Sequence, residues 1–154
     1  MIECDRTDRQ ILQLLQSDGR MSNTDVAERV HLSPSACLRR TKRLEEEGLI
    51  EGYRMLLNQQ AIGKPTNVFV EISLKSQNEE ILDAFERAVI QCPDIMECYL
   101  MAGDADYVVR VIATDVADYE RIHRTYLSRL PGVARLRSSF ALRTVCHKTA
   151  LPLE

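Results

Sequence analysis

The chain has 154 residues, 45% of them apolar and 28% charged, with a formal charge of −3; this composition excludes a disordered segment and fits one ordinary domain or two small ones. No apolar run approaches the roughly 20 residues that span a bilayer. The opening MIECDRTDRQ also lacks the basic-then-apolar plan of a secretion signal, so a cytoplasmic location without a membrane partner is expected. A sequence pI near 5.7 argues against a surface coated with nucleic acid, and any contact with a polyanion has to be local. The five cysteines, Cys4, Cys37, Cys92, Cys98 and Cys146, form no CxxC pair and no Cys/His spacing suited to zinc. They are expected to be reduced and mostly buried, with no metal and no cofactor.

In chain order, Thr7 and Gln10 have capping-box spacing, and Ile11, Leu12, Leu14 and Leu15 supply an apolar stripe that runs out at Gly19, which predicts a first helix. Ser22 caps a short second helix carrying Val26, Ala27 and Val30. A third starts only three residues later, with Ser33 as N-cap, Pro34 at the first helical position and Gly48 just past the end. Two helices joined so tightly have to cross steeply, which is the helix-turn-helix arrangement. On the third helix, Ala36, Arg39, Arg40 and Arg43 are expected on an outward face, and Cys37, Leu38, Thr41 and Leu44 on the packed one. Arg39, Arg40, Lys42 and Arg43 concentrate positive charge ahead of Glu45–Glu47 on an otherwise balanced background, since residues 1–58 hold nine Lys/Arg against ten Asp/Glu. Residues 49–57, LIEGYRMLL, suit a short two-stranded wing from which Arg54 reaches a phosphate.

Residues 59–67, QQAIGKPTN, lose the helical period and read as a hinge. Beyond them the pattern changes to alternation. Val68, Val70, Ile72 and Leu74 form one face of a strand; Ile81, Leu82, Phe85, Ala88 and Val89 make an amphipathic helix that stops before Pro93. Residues 95–101 and 107–113 should pair as a hairpin around AGDAD at 102–106. Asp115 caps a helix ended by Pro131-Gly132, and residues 133–142 alternate again. Strand, helix, strand, strand, helix, strand is the split βαβ, or ferredoxin-like, order, with both helices on one sheet face. The other face would carry Phe69, Tyr99, Met101, Val108 and Ile112 among Glu71, Glu97, Arg110, Arg135 and Arg137, a mixture that a second subunit's sheet is suited to cover. The predicted class is therefore α+β: a winged helix-turn-helix domain at 1–58, a linker at 59–67 and a ferredoxin-like βαββαβ domain at 68–154.

The segments DGR (18–20), SNTDVAERV (22–30), LSPSACLRRTKRLEEEGLIEGY (32–53) and LLN (56–58), continued through residues 68–142, resemble the Lrp/AsnC, or feast/famine, transcriptional regulators. The resemblance implies a sequence-specific regulator that binds double-stranded DNA through Ser33, Ser35, Ala36, Arg39, Arg40, Arg43 and Arg54. It further implies a RAM, or effector, domain that dimerises through its sheets, with homodimers assembling into higher oligomers such as octamers. The hairpin Met101, Ala102, Gly103, Asp104, Asp106 and Tyr107 resembles the glycine-acidic turn that lines a small-molecule site between dimers in that family, with Ser138 and Ser139 as further candidates. Chemically, Gly103 would adopt positive φ and bring N–H groups to a ligand carboxylate, and Asp104 or Asp106 would receive an α-amino group, so an amino acid or related metabolite is the expected effector. Many relatives place an aromatic residue where this chain has Ala105, so the ligand's identity does not carry over. A plain β-turn uses the same residues.

No catalytic residues are expected: His31, His123 and His147 are scattered, and no GxxxxGK[ST] or GxGxxG is present. Two alternatives are a tetrapyrrole decarboxylase of similar fold, for which a histidine cluster is missing, and a ligand-independent architectural DNA-binding protein.

Overall fold

The computed structural model describes residues 3–153. It divides into two compact units, residues 1–56 together with 145–154, and residues 57–144.

The helical unit contains α1 (Arg6–Ser17), α2 (Asn23–Arg29) and α3 (Pro34–Glu46). The start of α1 differs from the Thr7/Gln10 expectation: Asp5 is the N-cap, and it exchanges a reciprocal capping box with Asp8. Two overlapping boxes are written in DRTDRQ, and the upstream one forms because the Asp8 side chain is also needed elsewhere. Ser22 and Ser33 cap α2 and α3 as expected. The turn between them is tightened by His31, which sits at φ 56, a left-handed conformation uncommon for a residue with a Cβ. Ile11, Leu12, Val26, Ala27, Val30, Cys37 and Leu44 form the core.

After α3, Gly48 adopts φ 78, and the amides of Leu49 and Ile50 both donate to the Leu44 carbonyl, an ending that caps the last turn. The expected two-stranded wing is not formed as a ladder: residues 49–57 contain no strand. Gly52 breaks the alternation, and Tyr53, Met55, Leu56 and Leu57 are exposed. The chain's final residues return to this unit. The Leu151 amide donates to Gln16 Oε1 at 2.6 Å, Gln16 Nε2 donates to the Leu151 carbonyl at 3.1 Å, and Leu153 packs against the helical core. The ferredoxin-like unit is thus shorter at its end than the expected 68–154.

In the second unit, residues 58–64 form a hydrogen-bonded turn: Ile62 donates to the Asn58 carbonyl, Lys64 to that of Gln59, and the Gln59 side-chain amide to the Lys64 carbonyl. Strands β1 (Thr66–Leu74), β2 (Ile95–Leu100), β3 (Tyr107–Ala113) and β4 (Val133–Phe140) alternate with α4 (Glu79–Val89) and α5 (Val116–Thr125). A 3-10 turn at Leu127–Arg129 takes the place of the last turn expected for α5. All pairings are antiparallel, in the order β2-β3-β1-β4, which is the ferredoxin-like arrangement. The alternating residues Val68, Val70, Ile72, Val109 and Val111 pack with Phe85, Val89, Tyr119 and Ile122 of the two helices. Gly132 is required at the start of β4: its φ is 72, and a Cβ there would lie 2.4 Å from Ile81 of α4.

The opposite sheet face is a ladder of mixed polarity. Register places Glu97, Arg110, Phe69 and Ser139 across one row, and Tyr99, Val108, Glu71 and Arg137 across the next. Arg110 donates to Glu97 Oε1 and Asn67 Oδ1, and Arg137 to Glu71, so the charges pair within the face while Phe69 and Tyr99 stay exposed. Of the cysteines, only Cys37 and Cys92 are buried; Cys4 and Cys98 are half-buried and Cys146 is exposed, which narrows the expectation of mostly buried thiols.

Candidate functional site

Helix α3 has two chemically different flanks. Toward α1, Asp8 is buried at 1% exposure, and it draws in two of the three expected outward arginines. Arg40 Nη1 lies 2.9 Å from Asp8 Oδ1 and 2.6 Å from Asp5 Oδ2, and Arg43 Nη2 lies 2.5 Å from Asp8 Oδ2. A buried carboxylate strongly favours such partners, because an unpaired charge out of water is costly. The Asp8 amide and then the Arg40 guanidinium hold the Asp5 carboxyl below its ordinary range, and hydrogen bonds to the Asp5 and Asp8 carboxylates push Arg40 up. Arg40 and Arg43 therefore tie α3 to α1, which corrects their assignment to a free cationic stripe.

The outward arc lies opposite Cys37 and Leu44, the two fully buried α3 residues. It is rotated by roughly a quarter-turn from the expected face, as 3.6 residues per turn dictates. Ser35, Leu38, Arg39 and Lys42 occupy it, all exposed, at i, i+3, i+4 and i+7. Neither Arg39 nor Lys42 is in an ion pair among the described residues. Leu38 departs from its expected packed position at 44% exposure, while Ala36 is half-buried on the Arg43 side. At the helix entrance, Ser33 Oγ accepts from the Ala36 amide and lies 3.2 Å from Ser35 Oγ. That leaves the Ser33 hydroxyl committed to capping and Ser35 the freer of the two. Arg54 is exposed on the irregular segment after α3. Lys42 and Leu38 stand on this arc although neither is on the face expected to turn outward; Lys42 lies almost diametrically opposite Cys37 and Leu44, with Leu38 at the arc's edge.

The β2-β3 hairpin shows the same division. Met101, Ala102, Gly103 and Asp104 are exposed, and the turn is closed by Met101 N–H donating to the Asp106 carbonyl at 2.8 Å. Asp106, in contrast, is buried, and its two carboxylate oxygens accept from the Leu74 amide and Gln77 Nε2, each at 2.6 Å. It is a strap between β1 and the hairpin, not a free acceptor for an amino group. Tyr107 points into the core, stacked on Phe85 at 4.4 Å with its hydroxyl on Glu86; burial and that carboxylate push its pKa up. Gly103 is not among the positive-φ glycines, so the backbone nest expected there is not formed by that route. Ser138 faces α5, with its Oγ 2.5 Å from the Tyr119 hydroxyl, whereas Ser139 is exposed in the open-face row of Arg110 and Phe69. The hairpin residues left outward are Met101, Ala102, Gly103 and Asp104, with Asp104 the one free carboxylate among them.

The chain thus joins a helix-turn-helix unit to a ferredoxin-like one. A family model described as winged helix-turn-helix DNA-binding matches residues 5–51, and one described as the Lrp/AsnC ligand binding domain matches residues 67–151. The chain is 42% identical to the Bkd operon transcriptional regulator of Pseudomonas aeruginosa, covering 99% of this chain and all of that one. It is 39% identical to the leucine-responsive regulatory protein of Escherichia coli, covering 99% and 93%. Among solved structures, a Neisseria meningitidis transcriptional regulator in complex with L-Met superposes with a TM-score of 0.92 at 34% identity, over 97% of each chain. The protein belongs to the Lrp/AsnC family of transcriptional regulators. Among the described residues no helix is long and apolar enough to cross a membrane.

Proposed function

We propose that this regulator grips double-stranded DNA through the Ser35, Arg39 and Lys42 side of α3, with Ser33 at the helix entrance and Arg54 contributing backbone contacts, and with Arg40 and Arg43 tying the flank of the helix to α1. The carrying observation is the free Arg39–Lys42 pair on the arc opposite Cys37 and Leu44. Arginine suits bidentate contact with guanine O6 and N7, and lysine suits phosphate. The paired-charge face of the sheet, with Phe69 and Tyr99 exposed, supports a homodimer through that face, and a two-fold dimer carries two copies of α3 for half-sites a helical turn or multiples apart. Dimers are read as assembling further, and the protein as working in the cytoplasm as a regulator rather than an enzyme.

The effector is read as an amino acid, held at Met101–Asp104 at an interface between dimers, with Ser139 on the open sheet face a further candidate. The L-Met bound to the Neisseria relative supports this class of ligand, and Asp104 supplies a carboxylate for an α-amino group. Two titrations test the reading. Fluorescence anisotropy on a duplex selected by the full-length protein should show Arg39→Ala weakening binding at least about tenfold, while Lys42→Ala shallows the dependence of log K on log salt by about one unit. Unchanged affinity and slope would overturn the DNA face. A thermal-shift series over the amino acids should give at least one that raises the unfolding midpoint of the wild type and not of Asp104→Ala, because a ligand at 100 times Kd adds about 2.7 kcal/mol.

A further inference from the structure

Leu38 is the least expected member of the outward arc of α3. The other apolar residues of that helix are sequestered: Cys37 and Leu44 are fully buried and Ala36 is half-buried. Leu38, larger than any except Leu44, stands 44% exposed between Ser35 and Lys42. With Ser35, Arg39, Lys42, Arg43 and Glu46 it lines a shallow depression on that side of the helix. Ser35 and Lys42 run along the middle of the arc, and Leu38 and Arg39 stand on its two sides, so the face carries an aliphatic edge and a guanidinium edge.

An aliphatic side chain has nothing to offer a phosphate or a base-edge donor or acceptor. In the major groove, the apolar group that base pairs present is the C5 methyl of thymine. We propose that Leu38 is a specificity-determining residue that packs on a thymine methyl, in the same half-site as the guanine contacted by Arg39. The separation follows from the helix: consecutive residues stand about 100° apart around a cylinder about 10 Å wide, so the two side chains are about 8 Å apart and reach bases about two steps apart at 3.4 Å per step. The operator half-site is thus expected to carry a thymine at that distance from its guanine, on either strand. This inference rests on the proposed DNA face and adds to it what one edge of that face reads.

Burying one methyl is worth about a fourfold change in affinity, which deoxyuridine substitution measures directly because dU pairs as dT does and lacks only that methyl. Operators are selected from a randomised duplex pool by the full-length protein, and each dT of a half-site is replaced in turn by dU. For the wild type, one dT per half-site should cost about threefold to tenfold on replacement. Leu38→Ala should bind the dT and dU duplexes equally, near the wild-type affinity for dU, and Leu38→Met, which keeps an aliphatic reach, should retain part of the discrimination. A wild type indifferent to dU at every position, or a Leu38→Ala that discriminates as well as the wild type, overturns the proposal. Because Leu38 also borders a groove with Val26 and Tyr53, thermal melting of both variants accompanies the titrations. Leu38→Met carries the test should Leu38→Ala melt early. Failure of the α3 reading itself would look different, since Arg39→Ala would then leave affinity for every duplex unchanged.

Discussion

Asp8 in the helical unit and Asp106 in the sheet unit are both buried carboxylates beside the residues proposed to meet a ligand, yet they are satisfied by opposite means. Asp8 faces two guanidinium groups, from Arg40 and Arg43; Asp106 faces two neutral donors, the Leu74 amide and the Gln77 side chain. In each unit the fold draws on the charged residues that stand out most in the sequence, and those it leaves out of ion pairs, Arg39 and Lys42 in one and Asp104 in the other, are the ones proposed to meet a ligand. Charge clustering in a sequence marks the neighbourhood of a site, and the buried partner decides which members of the cluster belong to it.

The contrast predicts unequal costs. Asp8→Ala should be the most damaging change, at about 3 kcal/mol, because it removes a capping contact, the close carboxylate partner of Arg43 and one of the two partners of Arg40; hydrogen exchange of the α1 and α3 amides should rise while β1 and β3 stay protected. A globally uniform rise would break the assignment of Asp8 to one unit. Asp106→Ala comes next, at about 2 kcal/mol, since it orphans a buried amide rather than unpairing a guanidinium, with exchange at Leu74 as the readout. Asp104→Ala, two residues away, should leave that amide protected. Arg40→Ala sharpens the comparison within α3: it should lower the unfolding midpoint with a smaller effect on operator affinity than Arg39→Ala, which should do the reverse. Gln16→Ala, which removes the paired contact with Leu151, is worth about 1 kcal/mol to the helical unit.

The smallest effect is a shared one. Asp5 is held below its ordinary pKa of 3.8 by the Asp8 amide and Arg40, and Asp118 by the Thr114 amide and Arg121. A carboxyl with a lowered folded pKa adds stability that is complete above the unfolded value and is lost as pH falls through the folded one. Both units should therefore weaken together below about pH 3.8 and be level above pH 5, followed by melting at each pH. A loss confined to one unit would show that one of these two contacts is idle.

Much of this architecture could be read in advance. Ser33, Pro34 and Gly48 bracket α3 as local rules require, and the alternation of Val68, Val70, Ile72 and Leu74 announces a strand with a single apolar face. Those signals are local, and local periodicity decides them. What was illegible depends on contacts far apart in the chain. Nothing within α3 says that Arg40 and Arg43 meet Asp8 some 35 residues earlier, so the cationic face was drawn a quarter-turn off, and Leu38 was placed inside. Asp106 looked like a turn residue because its acceptors' partners, Leu74 and Gln77, lie about 30 residues upstream. The tail at 149–153 has no period at all, and its attachment rests on one glutamine amide and one leucine.

That attachment changes what counts as a fragment. A piece ending near residue 58 contains all three helices of the N-terminal unit but not the tail, whose Thr149, Leu151 and Leu153 form one wall of a groove with Leu12, Leu15 and Ile50. Limited proteolysis at the 58–64 turn alone would leave the two halves still joined through residues 141–148, so the DNA-binding module becomes separable only after a second cut, and then without its closing piece.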